Sequence, residues 1–333
     1  MNKAERTVFW NTLCSLDGKD LQQDAQKLKE CITLPRYLYR YRPVTLSTID
    51  ALQRNRLYYS NANYYDDPFD TLIHIDFDII NERARQVFSA EDVRIKLRNM
   101  AEQLKIDEVE TAKAEVLLNN LSVDEILTGI DKFLQTNIQS ILKQNLWSVC
   151  FCESGKNENM WLKYADQYKG YCVIYDLKDD KKLLCGKQDK CKECVVNKAG
   201  ISIYPMNYSD QGYDATVFAA NLTIAVIAKA QLIQPIADAI IQSLPSGAWE
   251  QEKITLIKSE CHETDQEWRM LLRGYSKPPV MQEWIPYGII LGLKTTDNDK
   301  DIIIRSAKSV GIEHIYESYI NKQYHLDIRE LVE

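Results

Sequence analysis

Between residues 76 and 145 the chain has no proline and a single glycine, Gly129. A stretch that long without breakers, dominated by Ala, Leu, Glu, Lys and Gln, is expected to form several α-helices. Ser122-Val-Asp-Glu125 matches a capping box and marks one helix start. The segments on either side are short and strand-like, so residues 76–145 read as a helical insertion into a β-containing core. Such an irregular alternation of helix runs and short strands favours an α+β fold over a doubly wound parallel sheet. The expected architecture is small mixed or antiparallel sheets forming a cleft, with large helical insertions.

The rest of the chain divides around that insertion. Residues 1–34 carry Val8, Phe9, Leu13, Leu16, Leu21, Ala25 and Leu28 at helical spacing, with a break at Asp17-Gly18, which predicts two N-terminal helices. Residues 35–330 read as one α+β domain with a second helical block over 214–257. Strands are expected over 37–42, 57–60, 146–152, 170–175, 201–205, 267–272, 287–293 and 302–304, and helices over 47–54, 158–167 and 306–310.

Composition excludes some classes. The net charge of −7 argues against wrapping a long nucleic-acid backbone, while leaving room for a local basic pocket. No apolar run approaches the roughly 20 residues of a membrane span. The N-terminus shows no secretory pattern, so the expected location is cytoplasmic. Nine cysteines in such a chain are expected to be mostly reduced thiols.

Two segments concentrate polar chemistry: Leu38-Tyr-Arg-Tyr-Arg-Pro43 and Leu57-Tyr-Tyr-Ser-Asn-Ala-Asn-Tyr-Tyr-Asp-Asp-Pro-Phe-Asp70. On an extended backbone Arg40 and Arg42 share one face, and a desolvated guanidinium needs a carboxylate or a phosphate. Pairing with Asp66, Asp67 or Asp70 is the structural alternative to anion binding. Those three acids invite a magnesium site as well, or simply a capped turn. Trp161 and Tyr164 lie on a short amphipathic helix; both suit a core, and Trp161 is the better candidate for ligand contact. Alternation over Asp265-Gln-Glu-Trp-Arg269 places Asp265, Glu267 and Arg269 on one face. Glu267 is the strongest candidate for a catalytic carboxylate, the alternative being a plain ion pair with Arg269 or Arg42. Cys185, Cys191 and Cys194 have partial zinc-knuckle spacing, with Cys261 or His262 as a distant fourth ligand. No glycine-rich phosphate loop or nucleophile elbow is present.

Taken in order with Cys150-Phe-Cys-Glu153, Met160-Trp-Leu-Lys-Tyr-Ala165, Lys169-Gly-Tyr-Cys172 and residues 258–269, these motifs resemble a bacterial family, domain of unknown function 2971, over about residues 36–330. The chain departs from that pattern in carrying Asp66 where asparagine is usual, and in its longer helical insertions. The family is similar in layout to ADP-ribosyltransferases. What that resemblance implies is an NAD-using transferase, a toxin or antiviral defence effector that modifies a protein or nucleic-acid acceptor. Arg40 would hold the dinucleotide's pyrophosphate or ribose, Tyr59 and Ser60 its nicotinamide end, and Glu267 a ribose hydroxyl, with Asp265 as an additional acid. Arg42, Asp67, Trp161, Tyr164 and Arg269 would complete the pocket. Two further readings are a metal-dependent nuclease or phosphohydrolase on Asp66, Asp67, Asp70 and Glu267, and a non-catalytic nucleotide-sensing or interaction module. The insertion could take a partner protein. Every version of the one-cleft reading requires Arg40, Ser60 and Asp67 to come within reach of Glu267.

Overall fold

The computed structural model describes residues 1–89, 98–99, 102, 105–119, 122–177, 183–184, 203–232, 234–272 and 281–331. Its centre is a nine-stranded sheet. In spatial order the strands are Leu326–Glu330, His314–Ile320, Gly288–Leu291, Tyr171–Asp176, Tyr37–Arg42, Trp147–Cys152, Glu267–Leu272 and Ile203–Pro205, with Ser60–Asn61 also pairing with Trp147–Cys152. All pairs in it are antiparallel except Gly288–Leu291 with His314–Ile320. Three smaller sheets lie outside it. The α+β class is as expected, but one large sheet dominates where only small ones were anticipated.

The central strand Tyr37–Arg42 is gripped on both sides. Its register against Tyr171–Asp176 sets Leu38 opposite Tyr175, Arg40 opposite Val173 and Arg42 opposite Tyr171. Gly170 explains the tight start of that pairing, since a Cβ there would lie 2.1 Å from the Arg42 carbonyl oxygen.

Alternation gives the sheet two different faces. One buries Leu38, Tyr59, Val149, Phe151, Tyr171, Val173, Trp268 and Met270 beneath the helices Leu46–Gln53 and Asp297–Ser309, which contribute Leu52, Ile303 and Ala307. The other carries Tyr41, Cys152, Cys172 and Ile174 against Trp161 of the helix Glu158–Tyr164. The N-terminal helices Lys3–Ser15 and Leu21–Glu30 form as expected and pack Phe9, Leu13 and Leu28 against Tyr208, Trp249 and Leu271. The insertion and the later helical block, far apart in sequence, share cores: Phe88 and Leu127 pack with Ile224 and Ile236, and Ile80 and Ile138 with Ala219 and Ile254.

One local expectation is reversed. Ile302, Ile303 and Ile304, read as a strand for their β-branched run, belong to the helix Asp297–Ser309. Thr296 caps it by accepting from the Asp299 amide, and Ile303 and Ala307 reach the core. Capping and tertiary packing outweigh the modest β-propensity of three residues. Among the described residues no helix is long and apolar enough to cross a membrane.

Candidate functional site: two charge clusters on opposite faces of one sheet

Cross-strand partners point to the same face, so the register assigns every candidate residue to a side. Arg40 and Arg42 stand with Val173 and Tyr171. Glu267 and Arg269 stand with Cys152 and Cys150, the former also the partner of Tyr39. Tyr39 and Arg40 are adjacent, so Glu267 and Arg269 lie on the face opposite Arg40 and Arg42. Tyr59 is in the core on the arginine side. Ser60, exposed and paired with Ser148, belongs to the Glu267 side, as do Asp67, Trp161, Tyr164 and Asp265. The single cleft expected from the sequence, joining Arg40 to Glu267, is not formed.

On the Glu267 side the charges are matched. Arg269, fully enclosed, donates from Nε to Glu267 Oε1 at 2.6 Å and from Nη2 to Asp70 Oδ2 at 2.6 Å. Its third nitrogen, Nη1, reaches the Thr255 carbonyl at 2.7 Å, and its guanidinium lies 5.0 Å from the Tyr65 ring centroid. Lys258 Nζ lies 3.1 Å from Glu267 Oε2, 3.7 Å from Asp265 and 3.9 Å from Asp70. Burial by itself would raise the Glu267 carboxyl, but the charges of Arg269 and Lys258 outweigh it and hold it well below the usual range. Burial would likewise lower Lys258, and the carboxylates of Glu267 and Asp70 reverse that. Glu267 is therefore a fixed anion inside an ion-paired network, which is the structural alternative named above.

The network continues to the surface through His262, whose Nδ1 is 3.1 Å from Asp265 Oδ2 and whose Nε2 is 3.0 Å from Asp67 Oδ2. Lys163 adds a contact of 3.1 Å to Asp265. Asp265 itself sits in the short 3-10 turn Glu260–Asp265, separated from the strand by Gln266 at φ 49°, so it joins the cluster by the turn and not by strand alternation. Of the two aromatics on the short helix, Trp161 is completely buried, donates Nε1–H to the Gly155 carbonyl at 2.9 Å and packs edge-on to Tyr41. Tyr164 is 41% exposed and is the one available to a ligand; burial of its oxygen pushes the phenol up to about 12, leaving a neutral hydroxyl at neutral pH.

Asp66 is exposed, Asp67 is engaged by His262, and Asp70 and Glu267 are engaged by cations. Among the described residues no three His, Cys, Asp or Glu side chains are grouped to hold a metal. Cys185, Cys191 and Cys194 lie outside the described residues.

The arginine side is unlike this. Arg40, Arg42 and Arg56 converge on one cavity with Thr48, Ala51, Leu52, Asn55, Tyr171, Val173, Tyr175 and Pro286. The expected pairing of Arg40 and Arg42 with Asp66, Asp67 or Asp70 does not occur, because those acids are on the other face. Arg40 Nη2 donates to the Tyr58 carbonyl at 3.3 Å. Among the described residues, Arg56 Nε and Asn55 Oδ1 are buried without a hydrogen-bond partner. Glu283 is the cross-strand neighbour of Arg56, yet among the described residues none of the three guanidiniums forms an ion pair. Burial first, and then the neighbouring charge of Arg42, push Arg40 down to about 10. Three half-buried cations that form no ion pair among the described residues have the electrostatics of an anion site.

Arg56 and Asn55 are the residues that sequence reasoning missed here, and Lys163 and Lys258 on the other face; His262, expected as a possible zinc ligand, lies between Asp67 and Asp265. Arg54-Asn55-Arg56 between a helix and a strand was a visible signal for the first pair. Comparison with family models, curated proteins and solved structures finds no match.

Proposed function

We propose that the chain binds a phosphorylated small molecule of the nucleotide class through Arg40, Arg42 and Arg56, as a sensing module whose binding site is non-catalytic. The observation that carries this is the cluster of three guanidiniums, none of which forms an ion pair among the described residues. Guanidinium matches phosphate by two parallel hydrogen bonds, and such charge-assisted bonds are about twice as strong as neutral ones. The ADP-ribosyltransferase reading draws less support, since it requires Arg40 and Glu267 to hold one dinucleotide, and the sheet stands between them. The hydrolase reading draws less still, since Asp70 and Glu267 are ion-paired with Arg269 and Lys258 and Asp67 is contacted by His262.

Calorimetry with AMP, ADP-ribose, NAD and inorganic phosphate tests the proposal. Binding by one of the phosphorylated compounds that weakens at least tenfold in both Arg40→Ala and Arg42→Ala supports it, about 1.4 kcal/mol or more for each. Absence of binding by all four overturns it. Release of nicotinamide from NAD that disappears in Glu267→Gln, with the variant folded, would restore the transferase reading.

A further inference from the structure

Resting on the phosphate-binding reading, the geometry points to a ligand class for the arginine cavity: we infer that it takes a terminal phosphate, as in a phosphate monoester, and not the internal phosphodiester of a nucleic-acid backbone. Asn55 then accepts a hydrogen bond from the group that carries the phosphate.

The cavity has a floor. Tyr171, Val173 and Tyr175 close it from the sheet, each at most 5% exposed. The helix Leu46–Gln53 closes one side with Thr48, Ala51 and Leu52. The Tyr171 hydroxyl is spent on the Thr48 carbonyl at 2.9 Å, which ties floor to wall. The cavity, about 20 Å³ in volume, lies far below the range of pockets that enclose a whole ligand and admits only a small group. The end of a molecule enters such a space more readily than the middle of a chain, since a phosphodiester carries a second substituent that the small cavity also has to accommodate at its mouth.

Charge selects the same way. A phosphate monoester carries about −1.5 to −2 at neutral pH, a diester phosphate only −1. Three guanidiniums that form no ion pair among the described residues are better matched by the former.

Asn55 provides the second half of the argument. It follows the helix Leu46–Gln53 at φ 52°, and its carbonyl accepts from the Trp284 amide at 2.9 Å, so its backbone is anchored. Its side-chain Oδ1 is buried and unpartnered. Cations and phosphate oxygens do not satisfy each other's neighbour here: Oδ1 is an acceptor and needs an N–H or O–H. A phosphate group with no O–H, such as the methyl phosphate dianion at pH 8, fills the guanidiniums alone; a hydroxyl or amino group further along the ligand would fill Asn55.

The test compares AMP, inorganic phosphate and the methyl phosphodiester of AMP on the whole chain, by calorimetry. AMP binding at least tenfold tighter than its methyl diester is the expected result, and equal affinity for the two overturns the inference while leaving phosphate binding in place. Failure of both AMP and inorganic phosphate to bind overturns the underlying reading instead. Asn55→Gly keeps the positive φ accessible, and at pH 8 is expected to weaken AMP at least threefold while leaving methyl phosphate, a dianion with no O–H, unchanged. An equal loss for both ligands removes Asn55 from the ligand-reading role.

Discussion

Arg269 holds Asp70 at 2.6 Å across 199 residues of sequence. The contact joins the end of the loop that follows the Ser60–Asn61 strand to the middle of the Glu267–Leu272 strand, in a setting with almost no access to water. Arg269 also holds Glu267, so one guanidinium organises two carboxylates.

Removing either acid leaves buried positive charge without its counter-ion. Asp70→Asn and Glu267→Gln should each destabilise by about 3–5 kcal/mol, the cost of breaking a buried pair from one side. A catalytic carboxylate outside any ion pair would instead allow Glu267→Gln at near-native stability. Thermal and urea unfolding of the two variants decides the matter, and a loss under about 1 kcal/mol for both would contradict the network described here.

Acid should dismantle the same network. The Glu267 carboxyl is depressed below its ordinary 4.5, so its contribution is fully present above that pH. It is lost progressively as pH falls from there toward the lower folded value. Urea midpoints measured from pH 7 to pH 2 should stay level to about pH 5 and then drop, and the drop should be shallower in Glu267→Gln. An equal slope in both proteins would assign the acid sensitivity to other carboxylates.

Binding at the arginine cavity should have a bell-shaped pH dependence. On the acid side a phosphate monoester gains a proton near pH 6 and loses half its negative charge. On the alkaline side Arg40 titrates near 10, and loss of its proton removes a donor and a charge. Affinity for AMP should therefore be level around pH 7 to 9 and fall on both sides, with the alkaline limb absent in Arg40→Ala. Calorimetry in matched-ionic-strength buffers reads this directly.

Trp161 should behave as a core residue. Its indole is enclosed by Tyr41, Tyr168 and the Gly155 carbonyl, so Trp161→Ala should cost about 3–5 kcal/mol, whereas Tyr164→Phe should cost less than about 1 kcal/mol. Unfolding curves of the two variants give the comparison, and the reverse order would return Trp161 to the ligand site.

Much of the fold could be read from local pattern. Period-2 alternation located Tyr37–Arg42 and Glu267–Leu272, and the breaker-free stretch located the insertion, because strands and helices write their own periodicity into the chain. The faces could be read too: Arg40 with Arg42, and Glu267 with Arg269. What could not be read was how those faces meet, because that depends on which strands neighbour one another. Trp147–Cys152 sits between Tyr37–Arg42 and Glu267–Leu272, and the parity of its single register pair, Tyr39 with Cys152, turns the arginines away from the acids. One residue of slip would have brought them together. The capping at Thr296 is local, and it was overlooked behind a conspicuous isoleucine run.

The sheet thus keeps two charge systems apart, and they share no partner. Energies at such independent positions add. A double variant at Arg40 and Asp70 should show the ligand defect of the first and the unfolding defect of the second with no coupling between them. Substitutions at the arginine cavity should therefore leave the interactions of the Arg269 network intact.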